Sequence, residues 1–334
     1  MLRYIAKRLL MLIPVLLGIS LVVLILIDIT PGDPARIMLG TMVTEEKVQE
    51  LREDLGLNDP LPVRYVRFLW DIIHGDFGNS FITKRPVFAD ILTRFPYTLT
   101  LASISLIISI LLGIPVGIYA ATHQYTWKDN AAMFIALFAV SMPSFWFALM
   151  LIRYFGVTLK WLPVSGITTW QGWVLPCIAM ALGLTAVIAR QMRSDFLEVI
   201  RQDYITTSRA KGLSEAKVIY RHGLKNAMIP VIMVIGGIFG TSLSGALIAE
   251  VIFTIPGIGL YTLTGLNNRD YPVIQGSVLI ISTLFAIVIL IIDILFALVD
   301  PRIRSQYSNK EKKRERIKKA KKCHEKEAQK IQNQ

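Results

Sequence analysis

Six long apolar runs without a charged side chain dominate this sequence of 334 residues. A helix needs roughly 20 apolar residues to cross about 30 Å of hydrocarbon, and each run meets that length. Because the bilayer core contains no water, a backbone inside it must satisfy its own hydrogen bonds, which favours helices. The sequence therefore predicts an all-α, polytopic membrane protein with six transmembrane helices: Leu9–Ile27, Tyr97–Ala121, Ala131–Ile152, Gly166–Ala189, Ala227–Ala249 and Val273–Ile292.

Composition excludes several other classes of protein. Hydrophobic residues make up 53% of the chain and charged residues 18%, whereas soluble domains average about 45–50% and about 25%. A soluble globular enzyme is therefore excluded. Cys177 lies in an apolar run and Cys323 in a basic segment, so the two cysteines indicate neither a disulfide framework nor a metal site. The sequence contains no phosphate-binding loop or ligand cluster, and we expect no catalytic residue, metal or cofactor in this chain.

Positive charge is distributed unevenly between the two sides of the predicted membrane domain. The connecting segments on the side that includes both termini carry 25 of the 36 Lys and Arg residues, and the other three segments carry 11. Positive residues concentrate on the cytoplasmic side of membrane proteins. We therefore expect both termini in the cytoplasm. We interpret the formal net charge of +12 as an orientation signal and expect no nucleic acid as a partner.

The spans divide the chain into three predicted regions. Residues 1–96 form an N-terminal anchor helix and a folded external loop, residues 97–304 form a five-helix core, and residues 305–334 form a basic cytoplasmic tail. The tail is a juxtamembrane cluster of Lys and Arg, a type of segment that anionic lipid attracts. Within the core, the cytoplasmic loop 190–226 connects the fourth and fifth spans.

The external loop contains two predicted helices. Thr44 is a suitable N-cap for the first, and Pro62 is favourable in the first turn of the second. The second helix places four apolar residues on one face: Val66, Leu69, Trp70 and Ile73. Two roles remain open for this loop, which are packing on the rim of the membrane domain and docking of an external solute-binding protein.

The cytoplasmic loop is polar, basic and helical in pattern. Gly212 can supply the left-handed residue that ends one helix. Ser214 can cap the next helix, and Glu215 would then lie near its positive end. Two short helices that meet at a glycine also occur in DNA-binding helix-turn-helix motifs. However, a segment tethered at both ends to membrane spans cannot easily enter a groove of DNA. The pattern favours a rigid elbow that contacts a cytoplasmic partner.

Short sequence patterns along residues 1–304 are together typical of one transporter family. Two of them lie in the cytoplasmic loop, over residues 203–213 and 222–227. The others are Pro31-Gly32-Asp33-Pro34, Leu55-Gly56-Leu57-Asn58-Asp59-Pro60-Leu61, Gly75-Asp76-Phe77-Gly78-Asn79-Ser80, Trp161-Leu162-Pro163-Val164-Ser165-Gly166, Ile255-Pro256-Gly257-Ile258-Gly259, Arg269-Asp270-Tyr271-Pro272-Val273 and Asp300-Pro301-Arg302. Because these patterns occur in the family's order and extend over residues 1–304, the chain resembles the permease subunits of dipeptide, oligopeptide and nickel ABC importers.

The resemblance implies an ABC importer type I permease fold and a transport subunit rather than an enzyme. Besides the lipid bilayer, it implies as partners a homologous second permease, two ATPase subunits that hold ATP and Mg, and an extracellular or periplasmic solute-binding protein. The implied location is the cytoplasmic membrane of a bacterium or archaeon. The implied cargo is a dipeptide or oligopeptide, with nickel or a nickel chelate as the alternative. A secondary transporter driven by an ion gradient is the alternative from a different class.

The resemblance also implies that the loop 190–226 couples the permease to an ATPase subunit. At Thr206-Thr207-Ser208 the chain departs from the Glu-Ala-Ala of the wider group of ABC importers, as the peptide and nickel branch commonly does. The implied coupling residues, matched position by position, are Asp203, Tyr204, Arg209, Ala210, Lys211, Gly212, Leu213, His222, Leu224 and Asn226.

The fifth span is rich in small residues. Small side chains allow close helix approach in membranes, so packing against a neighbouring helix is the first interpretation. A smooth wall of the solute pathway is the second, and the sequence leaves both open. The candidate residues are Gly236, Gly237, Gly240, Thr241 and Ser244.

Overall fold

The computed structural model describes residues 2–29, 32–40 and 43–299, and the regular elements of that part of the chain are all helical. The chain divides into two compact units, Met1–Leu290 and Ile291–Gln334. The second unit is described only for residues 291–299, and the predicted basic tail, residues 305–334, lies outside the described residues.

In chain order the α-helices are α1 (Leu2–Ile29), α2 (Pro34–Leu39), α3 (Glu45–Asp54), α4 (Leu61–Ile73), α5 (Val87–Thr122), α6 (Trp127–Ser141), α7 (Ser144–Leu151), α8 (Val174–Ile200), α9 (Asp203–Ala210), α10 (Glu215–Lys217), α11 (Leu224–Phe253), α12 (Ile258–Asn267) and α13 (Tyr271–Val299). In the described part of the chain, α1, α5, α8, α11 and α13 are long and apolar enough to cross a membrane. The bent pair α6 and α7 supplies a sixth crossing if it is counted as one span. These spans confirm the predicted polytopic architecture.

The third predicted span differs from one straight helix. α6 and the segment Ser144–Thr158, which begins with α7, meet at an angle of 97°. Met142 at the break has an extended ψ of 126°, because the ring of Pro143 disfavours helical geometry in the residue before it. The apolar run of residues 131–152 predicts the length of the crossing but does not reveal this bend.

The helix of the fourth span, α8, begins at Val174, later than the predicted start at Gly166. Gly166 has a φ of +77°, a left-handed conformation incompatible with a continuous helix. A single 3₁₀ turn, Trp170–Trp173, then leads into α8. The uncharged residues 167–169 therefore belong to a connection and not to the membrane helix.

Close packing of α5 against α8 forms the centre of the membrane domain. A Cβ on Gly117 would lie 2.6 Å from the carbonyl oxygen of Ala189 and from the Cβ of Met192. A Cβ on Gly113 would lie 2.9 Å from Ile188. The two helix backbones can approach this closely only because these positions carry no side chain.

The two predicted helices of the external loop form, and the apolar stripe of the second is largely exposed. α3 follows Thr44, although the Thr44 side chain makes no capping hydrogen bond. α4 has the predicted proline in its first turn. Most of its apolar stripe is exposed, because Val66, Trp70 and Ile73 are 65%, 66% and 78% exposed. The side chains of Arg64 and Tyr65 contact α1 instead.

We predict that Gly117→Ala destabilises the isolated subunit in detergent by about 1–3 kcal/mol, since the added methyl group overpacks the contact between α5 and α8. Gly183→Ala is the matched control, because Gly183 lies inside α8 and no atom is within 4 Å of its Cβ position. The measurement is the thermal unfolding midpoint of each variant. Equal midpoints for both variants would contradict the proposed role of this close contact.

Candidate functional site

The chain between α8 and α11 folds into a compact elbow, which we define as residues 203–223. α9 supplies its first half and buries Ile205 completely, while Ser208 is only 9% exposed. The Ser208 hydroxyl donates a 2.7 Å hydrogen bond to the carbonyl of Tyr204 in the same helix. One face of α9 is therefore packed into the protein, and the opposite face is open.

A left-handed turn at Gly212 follows α9. Gly212 has the predicted positive φ, at +76°, and no atom lies within 4 Å of its Cβ position. Backbone conformation, rather than space, therefore requires glycine at this point. Across the turn, the Nε of Arg209 donates a 2.8 Å hydrogen bond to the Oε1 of Glu215, which joins the two halves of the elbow.

The second half of the elbow differs from the capped helix that the sequence suggests. Ser214 has the extended conformation of a cap, but its side chain makes no capping hydrogen bond. α10 is only three residues long and continues into a π-helical segment, Val218–Gly223. π-Helical turns are rare and occur frequently at functional sites. Val218 and Gly223 are buried, so the wider turn brings the chain back onto the spans.

The predicted coupling residues divide by exposure. Leu213, His222 and Leu224 are half-buried at the base of the elbow. The Nδ2 of Asn226 donates a 2.8 Å hydrogen bond to the Tyr204 hydroxyl, and this bond ties α9 to the first turn of α11. The exposed members are Asp203, Tyr204, Arg209, Ala210, Lys211, Gly212 and Asn226.

The base of the elbow is packed into the membrane helices. Ring carbons of Phe196 in α8 lie 3.1 Å from the Cβ position of Gly223. Phe196 is fully buried in a cluster with Ile118 of α5, Met192 of α8 and Ala227 of α11. A displacement of the elbow would therefore be transmitted to three long helices at once.

An ion pair near the elbow joins α6 to α8, and sequence reasoning missed it. The Nε and one Nη of Arg193 each donate a 2.6 Å hydrogen bond to a different oxygen of Asp129. Asp129 also accepts a hydrogen bond from the backbone N–H of Tyr125, and its side chain is only 1% exposed. Bidentate pairs of this kind fix geometry as well as charge. The short turn before α6 is therefore held rigidly against α8.

The candidate residues of α11 do not share one environment. A Cβ on Gly240 would lie 3.0 Å from the ring of Phe285 in α13, so Gly240 is a packing residue. Gly236 is half-buried, and no atom lies within 4 Å of the Cβ position of Gly237. Thr241 and Ser244 are exposed on a membrane helix. α11 therefore packs against α13 at Gly240, whereas Thr241 and Ser244 belong to an open face of the same helix.

A buried carboxylate, also missed from the sequence, holds the other end of α11. Glu250 is fully buried and accepts hydrogen bonds from the Thr98 hydroxyl at 2.6 Å and from the backbone N–H of Leu260 at 3.0 Å. Thr98 accepts a 2.9 Å hydrogen bond from the backbone N–H of Ile258. Glu250 therefore caps the N-terminus of α12 and joins it to α5 and α11.

Tyr261 extends this contact between α12 and α5. Its hydroxyl donates a 3.3 Å hydrogen bond to Asp90, and the guanidinium of Arg94 lies 4.4 Å from the centre of its ring. Burial, together with the carboxylates of Asp90 and Asp270, raises the pKa of the Tyr261 phenol well above its ordinary value. Tyr261 therefore remains a neutral hydrogen-bond donor throughout the physiological pH range.

Comparison with known proteins decides the family. The family described as binding-protein-dependent transport system inner membrane component matches residues 113–305, and the N-terminal region of such membrane components matches residues 1–102. The chain belongs to this family. It is an inner-membrane permease subunit of an ABC importer and not an enzyme.

Curated relatives agree over nearly the whole length of the permease. The glutathione transport system permease protein GsiC of Salmonella paratyphi A is 40% identical over 304 residues, which cover 91% of this chain and 99% of that protein. The protein of the same name from Escherichia coli has the same identity and coverage.

Solved structures support the fold of the permease. A chain of the inward-facing MetNI methionine ABC transporter matches with a TM-score of 0.55 and 17% identity, covering 63% of this chain and 96% of that chain. A second crystal form of that transporter matches with a TM-score of 0.56. This likeness confirms the ABC importer permease fold.

The described residues contain no group of three or more His, Cys, Asp or Glu side chains that could hold a metal ion. The structural features described above are the elbow, the open face of α11 and the capped contact at Glu250.

Proposed function

We propose that this permease forms half of the translocation pathway of an importer for dipeptides and oligopeptides. Its partners are a homologous second permease, two ATPase subunits and an external solute-binding protein. Glutathione is a tripeptide, so the relatives that are named for glutathione transport support a small peptide as cargo. Nickel or a nickel chelate is the competing cargo.

One observation carries the coupling part of this proposal: the elbow has an open face and a buried base. Its open face includes Tyr204, Arg209 and Lys211, which offer an aromatic ring and two positive charges to a partner. Its base is buried against Phe196 and Ile118. ATP-driven movement of a partner on the open face would be transmitted through the base as a rigid-body displacement of the spans.

The orientation follows from the same assignment. An elbow that binds an ATPase lies in the cytoplasm, where the ATP is. Four spans precede the elbow and two follow it, so both termini lie on that side, in agreement with the concentration of Lys and Arg there. The open face of α11 would line the pathway between the two permeases, with Thr241 and Ser244 as small polar residues in contact with solute.

We predict that a cysteine at Ser244 reacts with a hydrophilic thiol reagent in the assembled importer and that the reaction blocks uptake. Ser242→Cys is the matched control, because Ser242 is 4% exposed and its hydroxyl donates to the carbonyl of Phe239 in its own helix. The measurement is uptake before and after the reagent is added to each variant. If Ser244→Cys resists the reagent, α11 does not line the pathway on that face.

We predict that Gly212→Val uncouples ATP hydrolysis from transport while insertion and pairing with the second permease persist. Valine at this left-handed φ introduces strain of about 1–3 kcal/mol, which distorts the elbow and lowers uptake roughly tenfold or more. Gly212→Asn is the control, since asparagine tolerates this conformation. Uptake and binding-protein-stimulated ATP hydrolysis are measured on complexes with equal subunit recovery. Normal coupling in the valine variant would exclude the elbow as the transmitting element.

Cargo is tested separately on the reconstituted importer with its binding protein. We expect a labelled dipeptide or glutathione to accumulate in vesicles that are supplied with ATP and to compete with other short peptides. Nickel ions and nickel chelates are the second arm of the same assay. ATP-driven accumulation of nickel without accumulation of peptides would overturn the peptide assignment. Uptake driven by an ion gradient in the absence of ATP would identify a secondary transporter instead.

A further inference from the structure

α4 has an apolar face that is largely exposed in the described part of the chain. The face consists of Val63, Val66, Trp70 and Ile73, which are 47% to 78% exposed. On the adjoining side of the helix, Arg64, Phe68 and Asp71 line a cavity that they share with Leu24 of α1 and Tyr271 of α13. α4 therefore buries one side against the protein and leaves a second apolar face exposed.

Two contacts fix the depth of α4 beside α1. Arg64 forms a 2.5 Å ion pair with Asp28, which is next to the last residue of α1. The hydroxyl of Tyr65 donates a 2.8 Å hydrogen bond to the carbonyl of Leu17. Leu17 lies twelve residues before Ile29, which corresponds to about 18 Å along the helix. The first turns of α4 thus lie between these two levels, alongside the membrane-spanning part of α1.

The level of α4 can be compared with the hydrocarbon boundary. The candidate span of α1 runs from Arg8 to Ile29, and about 20 residues fill the hydrocarbon thickness. Leu24 is 2% exposed and lies at the cavity beneath α4. It is five residues, or about 8 Å, from Ile29. An amphipathic helix in the membrane interface buries its apolar face about 5–10 Å into the boundary between headgroups and acyl chains.

α1, the helix beside α4, also exposes apolar side chains on another of its faces. Val22 and Leu26 of α1 are 53% and 59% exposed, as expected of side chains that face lipid. Trp70 near the middle of the α4 face is the residue type that concentrates at membrane–water interfaces. We propose that Val63, Val66, Trp70 and Ile73 bind lipid acyl chains in the leaflet at the Ile29 end of α1. α4 is thus a membrane-embedded interfacial helix.

The test is the accessibility of nitroxide labels to oxygen, which partitions into lipid, and to a water-soluble nickel chelate. Labels are attached through Val66→Cys, Trp70→Cys and Ile73→Cys in a Cys177→Ala, Cys323→Ser background. The complete importer is reconstituted in vesicles of phosphatidylethanolamine and phosphatidylglycerol. Gln49→Cys is the control, because Gln49 is exposed on α3, a strongly polar helix.

We expect the ratio of oxygen to nickel accessibility at the three α4 positions to exceed that at Gln49 by about threefold or more, as for a side chain in the acyl region. Low accessibility to both reagents in the assembled importer would overturn the proposal, because a protein partner would then cover the face. A ratio equal to that at Gln49 would also overturn it. In that case the face is in water, and loss of nickel accessibility on addition of the binding protein would identify a docking surface. The three positions are read independently, so failure of one variant to assemble leaves the decision to the other two.

Discussion

The close approach of α5 and α8 is the contact on which the rest of the described membrane domain depends. Gly113 and Gly117 remove the side chains that would hold the two backbones apart. In a bilayer the hydrophobic effect does not drive helices together, so association relies on close van der Waals contact. The remaining helices are then positioned on this pair. α6 is attached through Asp129 and Arg193, and α11 packs on it through Ala227 and its neighbours.

This arrangement explains how one chain can combine a rigid base with a binding surface. The elbow is short, and its internal bonds, such as the pair of Arg209 and Glu215, are between exposed groups and contribute little to stability. Its position is instead determined by the fully buried Ile205 and Val218. Gly212 is required for the turn of the elbow, but exposed charged groups such as Arg209 contribute little to its stability and could contact a partner.

The sequence predicts those features that local physics determines. Charge-free runs predict the spans because the bilayer sets their length, and Gly212 predicts a left-handed turn because few other residues adopt it. The bend at Pro143 was missed because the surrounding residues are uniformly apolar. Glu250 and Thr98 are separated by 152 positions, and no periodicity reveals which polar group a distant helix will supply. The sequence leaves the role of the α4 stripe open, because an amphipathic pattern predicts two faces but not which of them the protein buries.

The two ends of α11 show how these tertiary contacts act together. At one end, Gly223 packs against Phe196 and joins the helix to the elbow. At the other end, Glu250 caps α12 and holds Thr98 of α5. Between them the helix is a continuous 30-residue segment, about 45 Å long at 1.5 Å per residue. Because buried contacts fix both ends, α11 cannot fray freely at either of them. One helix, with Pro230 inside it, therefore connects the elbow to α12 on the far side of the membrane domain.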